Sequence, residues 1–100
     1  MAYKMAQDYK YKGDDWWEWS VWIDATKDEM NKIKFVEYTL HPTFTKPVRI
    51  IKDRETKFRL ETAGWGIFTV YAQAVLQDGE KIDMEHQLEL FYDDGTQTFA

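Results

Sequence analysis

LHPTF at positions 40–44 and AGWGIF at 63–68 hold the residues best equipped for recognition chemistry. In the first, His41 brings ring nitrogens, Thr43 a hydroxyl and Phe44 a phenyl ring, next to a proline that bends the chain. In the second, Gly64 and Gly66 flank Trp65. Glycine permits positive φ and lets another backbone approach closely. The indole is therefore expected to stand away from the core with its backbone N–H accessible. The two stretches are candidates for the two lips of one binding site. The alternative for Phe44, left open by the pattern, is a plug at the end of the core.

Catalytic chemistry finds little to work with. The histidines are His41 and His86, there is no cysteine, and no G-x-S-x-G elbow occurs. Asp14-Asp15 and Asp93-Asp94 fall in turn-forming stretches, where acidic residues are common. No grouping of carboxylates and histidines has metal-ligand spacing. The reading is a non-enzyme with no cofactor. His86 is in phase with Ile82 and Leu88, as a hydrogen-bonded histidine of the core or of a pocket floor would be. The net charge of −5 argues against broad duplex binding, which needs clustered positive charge, and suits basic partners. No apolar run approaches the roughly 18 residues of a membrane span, and no leader opens the sequence. The expectation is an intracellular protein, cytoplasmic if prokaryotic and nuclear if eukaryotic, without direct nucleic-acid or membrane partners.

The elements that must position the two stretches read as strands. In WWEWSVWID, Trp17, Trp19, Val21 and Ile23 alternate with Trp16, Glu18, Ser20, Trp22 and Asp24, the period of a half-buried strand. Tyr3, Met5, Gln7, Tyr9 and Tyr11 give a weaker run. Thr26 to Glu29 has the form of a capping box and predicts at most one helical turn. Val36, Tyr38 and Leu40 lead a strand into LHPTF. Val48 with Ile50, and Phe58 with Leu60, mark short strands. Phe68, Val70, Ala72 and Ala74 alternate in a longer one, with Phe68 assigned to the core. Its opposite face (Ile67, Tyr71, Val75) is also apolar, so a central strand buried on both sides is expected. Asp78-Gly79 signals a tight hairpin into a strand in which Ile82, Met84, His86, Leu88 and Leu90 alternate with Asp83, Glu85, Gln87 and Glu89. Asp93-Asp94-Gly95 is expected to end the ordered part. Six basic residues between Lys46 and Arg59 suggest a solvated edge strand that resists aggregation. The pattern predicts an all-β, antiparallel sandwich of about seven to eight strands in one domain over 1–100.

LHPTF followed by GWGIF resembles the YEATS domain, an Ig-like sandwich that reads acylated lysine. The resemblance runs from about Trp19 to Leu90. It takes in Trp19 with Val21, the strand end Val36, Tyr38, Leu40 and His41, then Pro47 with Arg49, and the close at Leu88 and Leu90. It implies that the acyl-amide of a lysine lies flat between the Phe44 and Trp65 rings. It implies further that His41 shapes the wall, that Thr43 stands where serine is usual, that the Trp65 backbone N–H bonds the acyl oxygen, and that Gly64 and Gly66 leave the channel open. Trp17 stands where the family usually has histidine, and the flanking aromatic of the early segment has no clean match beyond Trp16. These departures describe a divergent, prokaryotic-type member. The implied partner is a protein or peptide carrying acylated lysine, bound by a monomer.

Two other readings remain open. One is a protein–protein interaction module that keeps the fold without the pocket. The other is a sugar-binding sheet face, which would need a flat aromatic row such as Trp16, Glu18 and Trp22.

Overall fold

The computed structural model describes residues 3–97. Seven strands form two antiparallel sheets. One has the order β1 (Lys4–Gly13), β2 (Trp16–Asp24), β5 (Leu60–Gly64). The other has the order β4 (Val48–Ile51), β3 (Ile33–Thr39), β6 (Thr69–Leu76), β7 (Lys81–Gln87). This is the antiparallel sandwich expected from the strand pattern, with the Ig-like architecture that the resemblance implies.

Alternation fills the space between the sheets. Trp17, Trp19, Val21 and Ile23 of β2 are all buried, facing Val36 and Tyr38 of β3 and Val70, Ala72 and Ala74 of β6. A register shift between Ile33 and Phe35 inserts one residue, so Ile33 and Val36 both point inward. β6 is central, as expected, but it is not buried on both faces. Tyr71 on its outer side is exposed, because nothing packs on the outside of this sheet among the described residues.

The connections follow local chemistry. Asp14 and Asp15 both have positive φ (54° and 57°), the backbone that matches the twist of the β1–β2 hairpin. The capping box forms: Glu29 N–H donates to the Thr26 hydroxyl (3.2 Å), and Thr26 N–H donates to the Glu29 carboxylate (3.0 Å). The helix it starts, α1 (Lys27–Lys32), is longer than the single turn expected. Burial of Met30 holds it, and the Arg54 guanidinium caps its end, donating to the Met30 and Ile33 carbonyls (3.2 and 2.8 Å). Arg54 therefore works structurally within the basic run. β4 is the edge strand expected there, with Val48 and Ile50 exposed.

Three polar ties cross the sandwich. The Tyr38 hydroxyl donates to the Phe58 carbonyl at 2.6 Å, and burial pushes its pKa up. Phe58 has φ +58° yet is fully buried, so this bond and Phe58 N–H to Asp53 O (2.9 Å) hold a strained residue in place. The Trp17 indole donates to the Phe91 carbonyl at 2.8 Å. Beyond Asp93, where order was expected to end, the chain turns back so that Phe91 bridges Gln97 and the Tyr92 hydroxyl donates to Asp15 (2.6 Å).

The third tie is Gln7. Its side-chain amide donates to Glu89 O (2.7 Å), and its oxygen accepts from Glu89 N–H (2.9 Å) and from His86 Nε2 (2.6 Å). Because Gln7 Oε1 can only accept, His86 carries its proton on Nε2. The satisfied histidine anticipated from phase is thus found. Burial lowers the His86 pKa, partly opposed by Glu89. The folded state then favours neutral imidazole more than the unfolded chain does. The stability this contributes is complete above the unfolded value, about 6.5, and is lost as pH falls through and below it. The unfolding temperature is expected to drop between about pH 7.5 and 5.5, with a smaller drop in His86→Gln. Equal drops in the two proteins would rule the histidine out as the cause.

Candidate functional site

The register brings three loops to one tip. Trp17 pairs with Gly64, so the β1–β2 turn lies beside the end of β5. Thr39 pairs with Tyr71, so the end of β3 lies beside the start of β6. Residues 40–47 and 65–68 leave from these ends and enclose a cleft of about 320 Å³. His41, Thr43, Phe44, Gly64, Trp65 and Gly66 all line it. Every residue singled out for binding in the sequence is therefore brought to one place.

The first lip is a turn built by its own residues. Phe44 N–H donates to His41 O at 3.0 Å, which closes a four-residue turn with Pro42 second, where its fixed φ fits. Thr43 N–H donates to His41 Nδ1 at 3.2 Å. Nδ1 thus carries no proton, and the 2.9 Å contact between Nδ1 and Thr43 Oγ1 has the hydroxyl as donor. The Thr43 hydrogen is committed to His41, which leaves its oxygen with acceptor capacity. Leu40 N–H to Pro47 O (2.7 Å) closes the base of the loop.

Phe44 is half-buried and roots the lip in the core. Its ring meets Phe68 at 5.4 Å and Trp19 at 6.3 Å, and Trp19 meets Phe68 at 5.7 Å. These tilted and edge-on pairs are favourable geometries, worth about 0.5–1.5 kcal/mol each beyond area. His41 stands edge-on to Phe68 at 6.1 Å. Phe68 was expected in the core; it is instead half-buried and forms part of the cleft wall, because it lies one residue before β6 begins.

The second lip is Trp65, 55% exposed. Among the described residues its ring makes no aromatic contact, and its backbone N–H takes no part in the loop bonds of this tip. The neighbouring glycines do not use the positive φ that glycine permits; Gly13, Gly79 and Gly95 do. What Gly64 and Gly66 contribute is bareness. A Cβ on Gly64 would lie 3.7 Å from Phe44 Cζ.

Trp16 also lines the cleft and is exposed, so the early segment does send an aromatic to the site. Its exposed phase next to the buried Trp17 was the available signal. Thr45, Ala63 and Ile67 complete the walls, with nothing in their type to announce it. The sheet-face alternative loses its aromatic row. Trp22 is half-buried with the Arg59 guanidinium over its ring, 4.8 Å from the centroid.

Residues 17–89 match the prokaryotic YEATS domain family. No curated protein matches the chain. Among solved structures, the chain is similar to the Yaf9 YEATS domain recognizing an H3K122suc peptide, with TM-score 0.69 and 22% identity over 96% of this chain and 74% of that one. It is similar to the same domain bound to H3K27ac, with TM-score 0.69 and 21% identity over 96% and 75%. It is also similar to the yeast AF-9 homolog protein Yaf9, with TM-score 0.68 and 22% identity over 90% and 66%.

Proposed function

The chain belongs to the prokaryotic YEATS domain family, and on that premise we propose that it is a non-enzymatic module that binds acylated lysine on a protein, in the cleft between Phe44 and Trp65. One observation carries the reading: His41, Thr43, Phe44, Gly64, Trp65 and Gly66, drawn from two separate loops, line a single open cleft. The related Yaf9 domain recognizes H3K122suc and binds H3K27ac peptides.

The chemistry fits the walls. Lysine carries a charge that is costly to desolvate; acylation removes it and leaves a planar amide with an apolar tail. The faces of the amide suit the Phe44 and Trp65 rings. Its two edges need opposite partners. The Thr43 oxygen, its own hydrogen given to His41, accepts the amide N–H. The Trp65 backbone N–H donates to the acyl oxygen. His41 acts by holding Thr43 in this role. Trp16 adds a third apolar wall near the mouth.

Each ring contact adds about 0.5–1.5 kcal/mol beyond area, each hydrogen bond a similar net amount, and each buried methylene about 0.8 kcal/mol. Association costs at least about 4 kcal/mol. The expected Kd is on the order of micromolar or weaker. Peptides carrying acetyl-, crotonyl- or unmodified lysine, titrated into ¹⁵N-labelled protein, test this. The acylated peptides are expected to shift the resonances of residues 41–45 and 64–66, and the unmodified one to leave them in place. Identical behaviour of all peptides at about millimolar concentration would sink the proposal.

A further inference from the structure

A second groove, of about 510 Å³, lies on the outer face of the β1–β2–β5 sheet and shares Ala63 with the cleft. The register lays out its floor. Asp8 pairs with Ser20 and Ser20 with Glu61, so these three form one row across the outer face. Lys10, Glu18 and Ala63 form the next row toward the tip. Trp16 of the cleft lies two residues beyond Glu18, on the same face. At the end away from the cleft, the Arg59 guanidinium lies over the Trp22 ring and donates to Glu61 at 3.0 Å.

Ser20 is 4% exposed, and among the described residues its hydroxyl makes no hydrogen bond. Interiors rarely leave such groups unpaired. The Trp19 indole N–H also lacks a partner, but that atom is sealed; the Ser20 oxygen is not, and Ser20 lines the groove. Carboxylates stand on three sides of it, at Asp8, Glu18 and Glu61. Glu61 is held by Arg59. Glu18 meets Lys12 at 3.9 Å through exposed side chains, a pair of little worth. Asp8 has no ion pair among the described residues. Two cations line the groove against these three acids: Arg59, already engaged, and Lys10 in the row nearer the cleft.

We propose that this groove is a second subsite, which takes the unmodified cationic side chain of an arginine or lysine on the same chain as the acylated lysine. The proposal rests on the acyl-lysine reading of the cleft. The cation donates to the Ser20 oxygen and to the Asp8 and Glu18 carboxylates, and the planar fork of arginine serves several acceptors at once. An anion in the same place would meet a carboxylate on three sides. From Trp16 to Ser20 is four residues of strand, about 13 Å at about 3.3 Å per residue. An extended ligand covers that distance in about four residues, an even spacing that returns its side chain to the same face.

The test uses glycine-serine peptides with one acetyl-lysine and an arginine, glutamine or glutamate four residues to its N-terminal or C-terminal side. Calorimetry and the amide resonances of ¹⁵N-labelled protein read the result. From one of the two sides, arginine is expected to bind about fivefold tighter than glutamine, the ratio of one favourable ion pair, with glutamate weakest. The arginine peptide should also move the Ser20 and Glu61 amides, which the glutamine peptide should leave in place. Asp8→Asn and Ser20→Ala should each shrink the arginine advantage without changing the affinity of the glutamine peptide. Asp28→Asn, the same charge change on α1, should keep it. Equal affinities from both sides, or an arginine advantage that survives Asp8→Asn and Ser20→Ala, overturn the subsite while leaving acyl-lysine binding intact. Binding by none of the acetylated peptides overturns both.

Discussion

Trp65→Ala is expected to remove measurable binding of acylated-lysine peptides while leaving the protein folded. The indole is 55% exposed and supports no other ring among the described residues. Substitutions at such positions usually change stability by no more than about 0.5 kcal/mol. In the proposed site its loss removes one of the two stacking faces. Truncating an aromatic anchor of this kind costs about 2 kcal/mol or more, roughly thirtyfold in affinity. The Trp65 N–H remains, so the effect isolates the ring. Calorimetry with a thermal melt on the same sample checks both halves. Phe44→Ala offers the contrast: it should lose binding and stability together, because its ring also packs on Trp19 and Phe68. Unchanged affinity in Trp65→Ala would remove Trp65 from the site. A protein partner that still binds the variant would favour the interaction-module reading.

The largest effect on stability is expected from Trp17→Ala. Trp17 has no exposed surface, and its ring meets Tyr11 and Tyr92, each at 4.9 Å. Its indole N–H supplies the hydrogen bond of the Phe91 carbonyl. Removing a buried tryptophan costs about 3–5 kcal/mol, against a total of about 5–15 kcal/mol for a typical domain. For a chain near 100 residues that is a fall in Tm of more than about 12 °C. The loss should spread along the ties of this corner, since Tyr92 also holds Asp15 in the β1–β2 turn. Scanning fluorimetry or circular dichroism reads it directly. A Tm within a few degrees of the parent would mean that the Trp17 ring is not an anchor of the core.

The strands were legible because their alternation is a direct record of burial. Trp17, Trp19, Val21 and Ile23 could be assigned inward from spacing alone, and all four are buried. Tyr71 shows the limit of that logic. An apolar residue on the outer phase of a central strand looks the same whether or not another layer covers it, and here none does among the described residues. The two lips were legible as motifs, since proline, glycine and aromatic residues punctuate the backbone. Phe68 was misplaced because strand phase does not say where a strand begins. The glycines of AGWGIF could serve by unusual φ or by bareness; only coordinates separate the two uses. Likewise, the Gln7 clasp on Glu89 joins residues 82 positions apart, which no local pattern encodes. The unpaired Trp19 N–H is a property of packing and leaves no mark in residue type.

The self-closed turn of His41 to Phe44 has a consequence for timing. Its bonds lie within the tetrapeptide, so this lip needs no ligand to take its shape. If the cleft binds as proposed, an incoming chain meets a ready surface, and encounter is expected at an ordinary rate of about 10⁵–10⁷ M⁻¹s⁻¹. At micromolar affinity that pairs with departure at about 0.1–10 per second. Each visit would last on the order of a second: long enough for a neighbouring protein to act, brief enough to track marks as they come and go.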